Sequence, residues 1–211
     1  MANHHYDICI IGAGAGGLSV AAGACQFGIK VALIEGQQMG GDCLNYGCVP
    51  SKALLASAKH YFAITESAKF GFHANAKPVI ISKVMESVRQ VVANIAPHDS
   101  VERFTGLGAT VYQGYASFVD NKSVRVNDDI ITAKYFVIAT GSSPVIPPIP
   151  GLDKVGYLTN ETIFNLTETP EHLLVIGGGP IGCELAQAFL MLGIKVTLLN
   201  LGKILPRDEA D

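Results

Sequence analysis

Apolar positions along this chain fall into two textures, and each predicts its own kind of element. Short apolar runs of strand length occupy residues 6–11, 30–34, 172–176 and 195–199, bounded by glycines or polar residues. Residues 109–118, 123–127 and 130–139 also read as strands, with Asp120-Asn121 as a turn between the first two. Helical spacing takes over at 82–105, where Val84, Val88, Val91, Val92 and Ile95 form one stripe, and 52–68 reads as a further helix. A stripe of that kind predicts a packing surface. Pro144, Pro147, Pro148 and Pro150 make 142–151 a stiff linker. Thr159-Asn160-Glu161-Thr162 then reads as the start of a helix.

An internal repeat organises these elements. Shifting the sequence by 165 positions lays Gly12, Gly14 and Gly17 over Gly177, Gly179 and Gly182, and Glu35 over Asn200. Each copy reads as strand, glycine turn, helix and strand, the opening βαβ of a doubly wound α/β fold. The expected fold class is therefore α/β, with two tandem Rossmann-like dinucleotide-binding units. The second is incomplete, because the sequence stops at Asp211 soon after its second strand. Expected boundaries are 1–145 for the first domain, with a helical excursion at 52–105, then 146–169 for the linker and connection. Residues 170–211 open a truncated second domain. Two such units imply two dinucleotides.

The glycines have separable tasks. The first allows a tight turn, the second lets backbone approach a pyrophosphate, and the third lets helix pack on strand. The pyrophosphate then rests on a helix N-terminus, where unpaired N–H groups and the dipole favour negative charge. Glu35, ending the second strand, can accept hydrogen bonds from ribose hydroxyls. Its counterpart Asn200 is neutral and would not repel a 2′-phosphate, which Lys203 could answer, so NAD and NADP both stay open.

Composition narrows the class. An apolar fraction of 49% and a charged fraction of 16% over 211 residues allow a sizeable core. A net charge of −3, without any basic run, gives no reason to expect a nucleic-acid partner. Residues 8–29 hold no charge, but glycines at 12, 14, 16, 17, 23 and 28 argue against a membrane span. No Lys or Arg precedes the run, as a secretory signal would require. The expectation is a cytoplasmic protein in which Cys9, Cys25 and Cys183 are ordinary buried residues.

Cys43 and Cys48 are the exception. In a regular helix, residues five apart lie roughly 8–9 Å from Cα to Cα, whereas a disulfide tolerates at most about 7 Å. The pair can therefore close only where the helix is distorted, with Gly47 supplying backbone freedom and Pro50 suiting the first turn that follows. Zinc would need four ligands, and no second pair supplies them. A static bridge does not suit a reducing compartment. Two buried thiols remain an alternative, but beside a nucleotide fingerprint a redox-active disulfide is the preferred reading. A helix N-terminus and Lys52 should lower the pKa of these thiols.

Gly40-Gly41-Asp42-Cys43-Leu44-Asn45-Tyr46-Gly47-Cys48-Val49-Pro50-Ser51-Lys52 resembles the signature of the flavin-dependent pyridine-nucleotide disulfide oxidoreductases. Dihydrolipoamide dehydrogenase, glutathione reductase and mercuric reductase are members. The resemblance runs from the first fingerprint through Ala139-Thr140-Gly141 to the second, although members are roughly twice as long. It implies FAD on Gly12, Gly14, Gly17 and Glu35, joined by Gly41, Asp42, Lys52, Ala139, Thr140 and Gly141, with the Ala116 backbone against adenine. It places NAD or NADP on Gly177, Gly179, Gly182 and Asn200. Lys52 and Glu184 match the pair beside the flavin ring, Cys48 the sulfur facing it, and Cys43 the outer thiol that exchanges with substrate. A small dithiol or disulfide, or a lipoyl domain, is the implied substrate, and the full-length protein is expected to be a homodimer. No metal, nucleic acid or membrane partner is implied.

Three departures stand out. Asp42 replaces a Thr common in the family and puts a carboxylate close to the expected pyrophosphate. Pro180 replaces the residue that often gates the nicotinamide pocket. The family's catalytic His and its Glu partner belong to a C-terminal interface domain that nothing here matches, so the fragment alone is expected to be inactive. A dihydrolipoamide dehydrogenase-like enzyme is the first expectation, with mercuric reductase-like and glutathione reductase-like enzymes as alternatives. The rival from another class is an FAD- or nucleotide-binding module without a redox disulfide.

Overall fold

The computed structural model describes residues 3–205. These form two compact units, one from residues 3–48 and 92–161, the other from 49–91 and 162–205.

In the first unit the buried run of β1 (Asn3–Ile11) pairs in parallel with β2 (Val31–Glu35) on one side. On its other side lies β6 (Asp129–Ile138), also parallel. Successive side chains of a strand point to opposite faces, so Ile10 and Cys9 enter different cores. Ile10, Val31 and Leu33 pack with Leu18, Ala21 and Ala24 of α1 (Ala15–Gln26) and with Phe104 of α5 (Val101–Gly106). Cys9, Ala32 and Ile34 pack instead with Val124, Val126 and Ile131.

That second core explains a difference from the expected strands. Residues 109–118 form two strands, β3 (Thr110–Gln113) and β4 (Ala116–Asp120), separated at Gly114, where φ is +152°. β3 continues the parallel sheet beside β2, while β4 and β5 (Ser123–Val126) form an antiparallel ribbon leading into β6. The order is β3-β2-β1-β6-β5-β4. Only two residues join its outermost members, a reach of about 7–10 Å. The sheet therefore curls, and the ribbon covers one face.

The second unit pairs β7 (His172–Ile176) in parallel with β8 (Lys195–Leu199), connected by α6 (Pro180–Met191). Its core is shared with the helical excursion. Leu54 and Ala58 of α3 (Cys48–Thr65) and Ile81, Met85 and Val88 of α4 (Ile81–Ile95) are buried with Phe164, Ala188, Phe189 and Leu192. The boundaries expected from the linear sequence at 145/146 and 169/170 thus differ from the division in space. Residues 52–91 of the excursion group with the second unit, where Met85 and Val88 are buried with Phe189, whereas 92–105 belong to the first, where α5 buries Phe104. The apolar stripe of α4 is Ile81, Met85 and Val88, with Val91 exposed.

The helix expected at 82–105 is broken. Pro97 lies in a 3-10 turn, Ala96–Asp99, and α5 restarts after Ser100, whose hydroxyl accepts the N–H of Arg103 at 3.2 Å. The expected start at 159–162 leads only to a 3-10 turn, Ile163–Asn165. Residues 142–150 carry no regular structure and are exposed. Among the described residues, no helix is long and apolar enough to cross a membrane.

Candidate functional site

Both glycine turns are built alike. Gly12 and Gly177 adopt φ of +104° and +115°, open to glycine and strained for other residues. A Cβ on Gly17 would stand 1.8 Å from the Gly12 carbonyl oxygen, and one on Gly182 would stand 2.0 Å from that of Gly177. The third glycine is therefore demanded by contact with the first. α1 and α6 begin at Gly14 and Gly179 with no side-chain cap and no acid in the first turn. Their leading N–H groups stay available to an anion. Nothing within 4 Å would meet a Cβ on Gly177 or Gly179. These are the features a bound pyrophosphate requires, and the residues present fit one in each unit.

The residue ending β2 and the one just after β8 do more than sequence suggests. Glu35 accepts the Ala13 N–H at 2.6 Å through Oε2 and the Gln37 N–H at 2.7 Å through Oε1. Asn200 accepts the Gly178 N–H at 2.9 Å and donates to the Lys203 carbonyl at 2.9 Å. Each braces its own glycine turn at the same repeat position. Carboxylate oxygens keep a second lone pair, so bracing and ribose recognition are compatible.

In the first unit the turn opens into a cleft of about 270 Å³, near the lower end of the ~300–1,000 Å³ typical of ligand sites. Gly12, Gly14, Glu35, Gly41 and Asp42 line it from one side. Ala116, Ala139, Thr140 and Gly141 line it from the other. Gly17 lies behind the wall, against Gly12. The segment leading into α2 (Gly41–Asn45) is held to the turn by the Gly40 N–H, which donates to the Ala13 carbonyl at 2.9 Å. A Cβ on Gly41 would stand 2.6 Å from Gly14 Cα. Sequence reasoning missed Tyr115, a lining residue whose ring lies 2.8 Å from where Gly36 would carry a Cβ. Its signal was the glycine at position 36, whose bare backbone leaves room for a ring.

Beside the cleft, α2 ends at Asn45, and Tyr46 and Gly47 carry the chain into α3 at Cys48. This interruption brings the cysteines together. The Cys43 side chain is hydrogen-bonded to that of Cys48, and the Cys48 backbone N–H also reaches the Cys43 sulfur. Both are thiols here. Two expectations need correcting. Gly47 has no positive φ; a Cβ there would sit 3.0 Å from Asp42 Oδ2 and 3.4 Å from Cys43 Cα, so glycine serves by leaving space. The Cys43 pKa is raised above its ordinary value, where the helix terminus and Lys52 were expected to lower it. The hydrogen bond to Cys48 is the largest cause, followed by burial, with the Asp42 carboxylate adding to the rise.

Asp42 itself is exposed, and its Oδ1 accepts the Asn160 side-chain amide at 3.1 Å. Among the described residues it has no ion-pair partner. Asn160 was read as part of a helix start; sequence gave no sign of this contact.

Within the second unit, α3 and α6 bring Lys52 and Glu184 together. The Lys52 ammonium donates to both carboxylate oxygens, at 2.7 and 2.8 Å. Lys52 is mostly exposed and Glu184 largely covered. Pro180 occupies the first position of α6, where its missing N–H is no loss.

Residues 6–210 match the family described as pyridine nucleotide-disulphide oxidoreductase. A mercuric reductase of Bacillus cereus is 39% identical over 94% of this chain and 31% of its own length. A dihydrolipoyl dehydrogenase of Acholeplasma laidlawii is 36% identical over 98% of this chain and 63% of its own. Among solved structures, the HOCl-induced flavoprotein disulfide reductase RclA from Escherichia coli superposes with a TM-score of 0.83. It is 32% identical and covers 98% of this chain, which spans 45% of the RclA chain. This chain thus spans less than two thirds of each of these relatives.

Proposed function

The chain belongs to the pyridine nucleotide-disulphide oxidoreductase family, and from that premise we propose that it is part of an NAD(P)H-dependent FAD disulfide oxidoreductase whose working pair is Cys43 and Cys48. What chiefly supports the reading is the contact between these two side chains at the break between α2 and α3, next to a glycine-lined cleft. FAD belongs to the first turn, on Gly12, Gly14, Gly17, Glu35, Gly41, Asp42, Ala116 and Ala139–Gly141, with Lys52 as a further contact. NAD or NADP belongs to the second, on Gly177, Gly179, Gly182 and Asn200. On this reading 1–145 is the FAD-binding region and 170–211 opens the NAD(P)-binding one. Bound FAD would supply the two-electron link between the nicotinamide and the cysteines.

The protein's own residues account for the thiol half of the reaction. Cys43, once ionised, attacks one sulfur of a substrate disulfide, releasing the other as a thiolate that takes up a proton. Cys48 then attacks Cys43 in the mixed disulfide, releasing the second substrate thiol and closing the Cys43–Cys48 bond. Two electrons pass to the substrate, and the pair is oxidised. In the dihydrolipoamide dehydrogenase direction the same steps run backwards. Lys52, held by Glu184, supplies a fixed positive charge.

A dihydrolipoamide dehydrogenase-like enzyme acting on a small dithiol or a lipoyl domain, as a cytoplasmic homodimer, remains our first assignment. The mercuric reductase relatives at 38–39% identity support Hg(II) as the alternative substrate. The test is anaerobic titration of the full-length protein with NADH and then NADPH. One equivalent of the correct coenzyme should give a long-wavelength thiolate–flavin band that Cys48→Ser abolishes. A flavin spectrum indifferent to that substitution would establish the rival, a nucleotide-binding module without a redox pair. Dihydrolipoamide, oxidised glutathione and Hg(II) then compete as substrates side by side.

A further inference from the structure

Asp42 is the one cleft-lining carboxylate adjacent in sequence to a working cysteine, and its surroundings are unusual. Its Oδ2 lies 3.0 Å from the Cβ position of Gly47, which puts the carboxylate across the turn joining Cys43 to Cys48. Its Oδ1 is held there by Asn160, a neutral donor. Asp42 forms no ion pair among the described residues. Lys52, the next cation along α3, is engaged by Glu184. The titratable groups acting on Cys43 are Cys48 and Asp42.

We propose that Asp42, braced by Asn160, is a positioning residue that tunes Cys43: its charge, across the turn from the outer thiol, disfavours the thiolate and so restrains its attack on disulfides. This rests on reading Cys43 as the exchanging thiol. An anion beside a thiol disfavours the thiolate, the only nucleophilic form. Asn160 adds geometry without neutralising, which an Arg or Lys at that position would have done. The two cysteines set most of the Cys43 behaviour through their mutual hydrogen bond, and Asp42 adds a further increment. Because Asp42 is exposed, the increment is screened by salt.

The experiment follows site-resolved alkylation of the reduced 211-residue chain by iodoacetamide, with Cys43 distinguished from Cys48 by fragment mass spectrometry. Asp42→Asn keeps an acceptor for Asn160 and removes only charge. At pH 7 and low salt it should speed modification of Cys43 about two- to fivefold, shifting the pH profile about 0.3–0.7 units downward. In 1 M KCl the difference should collapse, because the Debye length falls to about 3 Å. Asp42→Ser is the second variant and should behave the same way. An unchanged profile, a shift to higher pH, or a difference that survives 1 M salt would overturn the proposal. Diamide oxidation of the unsubstituted chain separates this from the parent reading. If no Cys43–Cys48 bond forms there, the redox assignment fails, whatever the alkylation rates show.

Discussion

Glu35 Oε2 accepts the Ala13 N–H at 2.6 Å, so the carboxylate ending β2 is built into the glycine turn it faces. Glu35→Gln keeps an acceptor there and should cost less than about 1 kcal/mol, whereas Glu35→Ala strands two amides and should cost about 1–3 kcal/mol. Urea unfolding of the two variants measures the difference. Asn200→Ala should repeat the pattern in the second unit, where Gly178 loses its acceptor.

Adjacent glycines should respond oppositely to one added methyl group. Nothing within 4 Å meets a Cβ at Gly16, whereas at Gly17 it lands 1.8 Å from a backbone oxygen. Gly16→Ala should raise stability by up to about 1 kcal/mol, from the helical preference of Ala. Gly17→Ala should lower it by more than about 3 kcal/mol and abolish FAD retention, because backbone must move. Thermal unfolding and the flavin content of the purified proteins report both effects.

Removing the Lys52–Glu184 pair should separate stability from chemistry. An ion pair with one largely exposed partner is worth about 0–1 kcal/mol, so Glu184→Gln should leave the melting temperature nearly unchanged. If the fixed charge supports electron transfer, coenzyme-driven reduction of the full-length protein should slow by about tenfold or more. Stopped-flow absorbance measures that rate.

Alkaline pH should loosen the first unit through Cys9. Burial pushes this thiol from 9.0 up to about 12. The folded state therefore holds the proton more tightly than the unfolded chain does. That stability is complete below pH 9.0 and is lost as pH rises towards about 12. Tyr112, raised by burial and its hydrogen bond to Tyr6, acts in the same sense at higher pH. Cys9→Ala should lower stability at pH 7 by about 1–2 kcal/mol for the lost methylene-sized volume. Its stability should then fall less steeply between pH 9 and 11. Denaturant titrations at each pH give both slopes.

The glycine turns and their two strands were legible because periodicity and glycine spacing are local. The cysteine pair was legible for a similar reason: helix geometry alone demanded a break between 43 and 48, and the structure has one. What sequence could not show depended on contacts made only on folding. The rise in the Cys43 pKa comes from sulfur meeting sulfur, and Asn160 reaches Asp42 across 118 positions. The split of 109–118 was hidden because β3 and β4 have similar texture, although Gly114 marked the place. The excursion at 52–105 looked like an insertion in the first domain. Only the burial of Met85 and Val88 with Phe189 reveals that its part up to Val91 serves the second core, while Phe104 keeps its end in the first.

That shared core makes the second unit discontinuous along the chain, which matters during translation. Val88 leaves the ribosome about a hundred residues before Phe189. At roughly 5–20 residues per second, α4 waits about 5–20 s for its partner. Throughout that interval Ile81, Met85 and Val88 present an uncovered apolar ridge on the nascent chain. It is a stretch of this polypeptide on which a holding chaperone, or a second nascent chain, could take hold.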